Sequence, residues 1–106
     1  MPKYLFTGSY TAKGLEGLRD AGAKSRVDAL TSLIESMGGR LESMYYAFGE
    51  TDLFVTLDAP DDGTVTALAV AVNSSGAFSG RTTKLLTPDE VDKAIQRPVD
   101  YRPPGS

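Results

Sequence analysis

The elements predicted along this chain run β-α-β-β-α-β, followed by one short helix, an α+β arrangement of the ferredoxin-like kind. Three observations predict it. Residues 3–11 alternate as a strand does. Residues 40–60 read as two strands around a tight Gly49-Glu50-Thr51 turn. Helical spacing and capping residues fill the stretches before and after that hairpin.

In the first strand, Tyr4, Phe6, Gly8 and Tyr10 fall on one side, and Leu5, Thr7 and Ser9 on the other. Thr11 then caps a short helical piece carrying Leu15 and Leu18. Gly14, Gly17 and Gly22 weaken it, each costing about 1 kcal/mol against Ala, so a break is expected near residues 20–23. The stronger helix follows. Val27, Leu30, Ile34 and Met37 form its apolar stripe, Leu33 widens it, and Gly38-Gly39 ends it.

The hairpin comes next. With Phe48 placed opposite Asp52, one face carries Leu41, Ser43, Tyr45, Ala47, Leu53, Val55 and Leu57, and suits cover by helices. The other carries Met44, Tyr46, Phe48, Phe54 and Thr56 with Glu42, Asp52 and Asp58, and suits a second protein surface or a small-molecule cavity. This register makes Tyr46 and Phe54 cross-strand neighbours. It also sets Glu42 against Asp58, a like-charge pair that needs a cation between them, expected from a second subunit.

Pro60-Asp61-Asp62 starts a second main helix through small apolar residues 63–73, which Asn73-Ser74-Ser75-Gly76 ends. Phe78 to Leu86 is the last strand, with Arg81 and Lys84 on opposite faces. Thr87-Pro88-Asp89-Glu90 opens the short final helix as a capping box. Residues 1–97 are thus expected to form one domain and 98–106 a proline-rich tail.

Composition narrows the chemistry. The 106 residues include no cysteine and no histidine. Disulfides, thiolate chemistry, the usual imidazole base and most zinc, haem and iron sites are excluded. No metal and no cofactor is expected. The net charge is −3 with mixed signs and no basic block, so neither nucleic acid nor an anionic membrane is an expected partner. No run approaches roughly 18 consecutive apolar residues. A cytoplasmic domain is the expectation.

Several segments together resemble the GYD domain family. They are Tyr45-Tyr46-Ala47-Phe48-Gly49-Glu50-Thr51-Asp52, Asn73-Ser74-Ser75-Gly76, Arg81-Thr82-Thr83 and Leu86-Thr87-Pro88-Asp89-Glu90, with the opening Tyr4-Leu5-Phe6 and Ser9-Tyr10-Thr11. The family usually carries Tyr directly before the signature Asp, where this chain has Thr51. The resemblance implies a dimeric α/β-barrel fold and no settled activity. Relatives of that fold include enzymes and regulators, so fold does not choose a function.

The candidate ligand-binding residues are Asp52, Tyr46, Tyr10 and Arg81, expected to converge where turn, sheet and dimer edge meet. Arg81 would grip an acid, and the tyrosines a phenol or carbonyl compound. Asp52 also fits a plain turn role, bonding nearby backbone N–H groups. Met44, Tyr46 and Phe54 are the candidate dimer face. No catalytic residue stands out. The expected function is a small homo-oligomeric binding or assembly module, with itself and a small molecule as partners. The alternative is a cofactor-independent monooxygenase or isomerase acting on a small aromatic or carbonyl substrate.

Overall fold

The computed structural model describes residues 1–105; Ser106, the end of the expected tail, lies outside the described residues. The elements are β1 (Lys3–Tyr10), α1 (Ala12–Ala21), α2 (Ala23–Ser36), β2 (Arg40–Tyr46), β3 (Leu53–Asp58), α3 (Asp62–Ser74), β4 (Phe78–Leu85) and α4 (Pro88–Ile95). The four strands form one antiparallel sheet in the order β2-β3-β1-β4. This is the ferredoxin-like α+β fold with an added C-terminal helix.

Local chemistry sets the helix ends. Thr11, Asp61 and Thr87 each cap a helix by accepting from a backbone N–H three residues on. Thr87 and Glu90 complete a capping box. Gly22, at φ 88°, divides α1 from α2. After α2, Gly38 turns at φ 84°, and the N–H of Gly39 donates to the Ile34 carbonyl. Gly14 answers a different need. A Cβ there would sit 1.9 Å from the Ala77 carbonyl oxygen, so only glycine lets α1 lie against the start of β4.

Tyr4, Leu53, Val55, Leu57 and Phe78 rise from one sheet face to meet Ile34 of α2 and Val65 of α3. Val55 is 1% exposed, and burying such a side chain contributes about 1.5–3 kcal/mol. α2 packs along β2 and α3 along β4, so the two helices cover opposite sides of this face. At its margin the Tyr4 hydroxyl donates to Asp62, whose other neighbour is Lys84 at 3.1 Å. That bond, followed by burial, pushes the Tyr4 phenol up to about 12.

The hairpin corrects the expected register. Ala47, not Phe48, faces Asp52, with its N–H donating to the Asp52 carbonyl at 2.8 Å. Tyr46 stands opposite Leu53, Met44 opposite Val55, and Ser43 opposite Thr56. The register then shifts between Leu41 and Ser43, so Glu42 is the extra residue of a β-bulge and Leu41 opposes Leu57. Met44 and Tyr46 therefore lie on the helix-covered face with Leu41, contrary to expectation. Ser43 and Tyr45 take the uncovered face. Phe54 lies on the uncovered face as expected, but its neighbour is Tyr45.

The bulge also changes the charge arrangement. Glu42 no longer opposes Asp58; Arg40 does. Lys3, on the neighbouring β1, bonds both Glu42 and Asp58, and Arg40 adds a contact to Asp58 at 3.2 Å. The cation between the carboxylates comes from the same chain, not from a second subunit.

The uncovered face presents Leu5, Tyr45, Phe54 and Leu85 among hydroxyl residues such as Thr7, Ser43 and Thr56. Every residue of α4 is exposed, and that helix stands off the sheet without covering either face. The radius of gyration is 17.1 Å.

Candidate functional site

Because α2 and α3 cover opposite margins of the same sheet face, a hollow of about 300 Å³ remains between them. Its floor is made by Phe6, Tyr10, Met44, Leu53, Val55 and Phe78. Leu30, Leu33 and Ile34 form one wall, and Leu68, Ala69 and Val72 the other. The floor is shaped by aromatic packing. Phe6 stacks on Phe78 with centroids 5.3 Å apart, and Tyr10 meets Phe78 edge-on at 5.2 Å. These rings need the glycine at position 80, where a Cβ would lie 2.7 Å from both Phe6 and Phe78.

One end of the hollow is polar. Tyr10 lines it, and so does Arg26, in the first turn of α2. Tyr46 stands close by, its hydroxyl donating to the Ala23 carbonyl at 3.2 Å. Burial pushes the Tyr10 phenol up to about 12; the neighbouring Tyr46 hydroxyl adds to the rise, and Arg26 opposes it. Tyr10 is therefore a neutral hydrogen-bond donor at physiological pH, and a poor proton acceptor.

The expected quartet is only partly brought together. Tyr10 and Tyr46 share the helix-covered face and neighbour each other there. Arg81 opposes Thr7 and lies on the uncovered face, so the sheet separates it from both tyrosines. Asp52 is held by backbone: its Oδ2 accepts from the Tyr10 N–H at 3.1 Å, while its own N–H donates to the Gly8 carbonyl. These bonds tie the start of β3 to the end of β1. Of the expected dimer face, only Phe54 lies on the uncovered side, 41% exposed beside Tyr45 at 69%.

Arg26 is the residue that sequence reasoning missed. Its signal was present, since Arg26, Leu30 and Ile34 follow one another at four-residue intervals. The apolar stripe of α2 thus extends one turn back and ends in a cation.

Fold and site together define a ferredoxin-like α+β domain with an apolar hollow between sheet and helices. The family model of the GYD domain matches residues 4–95, and the chain belongs to the GYD domain family. No curated protein and no solved structure shows significant similarity to it. Among the described residues, no helix is long and apolar enough to cross a membrane.

Proposed function

We propose that this GYD domain is a small-molecule binding module that works as an assembly of identical copies. The hollow carries the reading: about 300 Å³, walled by aliphatic and aromatic side chains, with two tyrosines and an arginine at one end. Its volume lies at the lower end of ligand sites, which run from about 300 to 1,000 Å³. Self-association is favoured by the uncovered sheet face, where Leu5, Tyr45, Phe54 and Leu85 have no helix over them. Two such faces laid together would bury these side chains and leave both hollows on the outside of the pair.

Native mass spectrometry of protein purified from its own host tests both parts at once. The expected spectrum shows two or more subunits with a retained small molecule. A bare monomer of 11.3 kDa that takes up no apolar compound would overturn the reading.

A further inference from the structure

We infer, building on the binding reading above, that the hollow takes a small organic acid, its apolar body between α2 and α3 and its carboxylate at Arg26 and Tyr10. Three observations carry this. First, among the described residues Arg26 is the one charged side chain that lines the hollow; no Asp or Glu does. A bound amine would find no counter-charge there, whereas a bound acid would.

Second, Arg26 has no acidic partner. Among the described residues no carboxylate lies within 4.0 Å of it, and of the cations outside the ion pairs of Lys3, Arg40 and Lys84 it is the one that lines the hollow. Its planar guanidinium can hold a carboxylate through two parallel N–H bonds.

Third, the end of α2 that carries Arg26 has the same sign. The cap residue of α2 is Gly22, so no side chain bonds the free amides of the first turn, and that turn holds no acidic residue. The positive end of the helix dipole therefore adds to the Arg26 charge. Tyr10 stays protonated and can donate to the second carboxylate oxygen. Beyond this head site the lining is mostly apolar, through Leu30, Met44, Leu53 and Leu68, with the hydroxyls of Ser75 and Thr82 among it, and suits a hydrocarbon or aryl body.

The test uses three probes with one apolar chain and different heads: octanoate, 1-octanol and octylamine. Binding is measured by calorimetry and located by amide shift perturbation in the full chain. Octanoate is expected to bind about tenfold more tightly than 1-octanol, with octylamine weakest and the shifts centred on α2 and α3. In Arg26→Met the octanoate advantage is expected to vanish while 1-octanol binding persists. Arg26 is exposed, so this variant keeps the fold. Equal binding of all three probes would overturn the acid inference and leave the binding reading standing. An octanoate advantage that survives Arg26→Met, or shifts confined to the uncovered sheet face, would also overturn it. If no probe binds, the binding reading falls and the inference falls with it.

Discussion

Tyr45 of the edge strand β2 stands opposite Phe54 of β3 on the uncovered face of the sheet. Both rings are well exposed in the single chain. If the proposed assembly forms through this face, Phe54→Asp and Tyr45→Asp are each expected to convert it to monomer, read by light scattering, with the circular dichroism spectrum unchanged. Val55→Asp reverses the outcome. Val55 is among the most buried side chains, and an unpaired charge there should cost roughly 3 kcal/mol or more and unfold the subunit. Unchanged mass in both aromatic variants would remove this face from the interface.

Two glycines of α1 should respond in opposite directions to the same change. A Cβ at Gly17 would meet nothing within 4 Å, so Gly17→Ala is expected to stabilise by about 0.5–1 kcal/mol through helix propensity. At Gly14 the Cβ would strike the Ala77 carbonyl, and Gly14→Ala is expected to lose about 1–3 kcal/mol. Urea denaturation of the two variants measures the contrast directly. Equal shifts would mean that α1 does not pack on Ala77.

Filling the hollow should separate binding from folding. Ala69 lines it from α3, and a larger side chain there has open space to enter. Ala69→Phe is expected to weaken 1-octanol binding at least about tenfold while costing no more than about 1–3 kcal/mol of stability. Retained binding in a folded variant would place the ligand elsewhere.

The Lys3-Asp58-Arg40 group sets a pH dependence whose sign can be worked out. The Lys3 bond, then Arg40, holds the Asp58 carboxyl below its usual 3.8. Its contribution is present above 3.8 and is lost as pH falls through the lower folded value. Lys3 is raised above 10.5, first by Glu42 and then by Asp58. Its contribution is present below 10.5 and lost as pH rises through the folded value. The stability advantage of wild type over Asp58→Asn is therefore expected to be full between those two values and to shrink toward either end. Urea midpoints across pH would show a flat difference if the group contributed nothing.

What was legible in the sequence was whatever short-range chemistry decides. Thr11, Asp61 and Thr87 announce their helices because a cap acts within three residues. The faces of β1 and β3 follow from simple alternation, as Tyr4 and Val55 show. β2 was not legible in this way. Its side chains change face with a one-residue slip, and neither the longer turn from Ala47 to Asp52 nor the bulge at Glu42 leaves a local pattern. The expected quartet converges only in part, for a related reason. Arg81 and Tyr10 look close along adjoining strands, yet strand parity puts them on opposite faces. Arg26 comes from a helix whose position over the sheet is a tertiary property.

The stand-off of α4 bears on how the proposed assembly must be weighed. A compact domain of about 100 residues has a radius of gyration of roughly 13 Å, against 17.1 Å here, with a long axis of 58 Å beside widths of 33 and 22 Å. Gel filtration sorts by drag and would let such an elongated single chain elute early, in the position of a compact dimer. Only a method that reads mass independently of shape can tell one such chain from two.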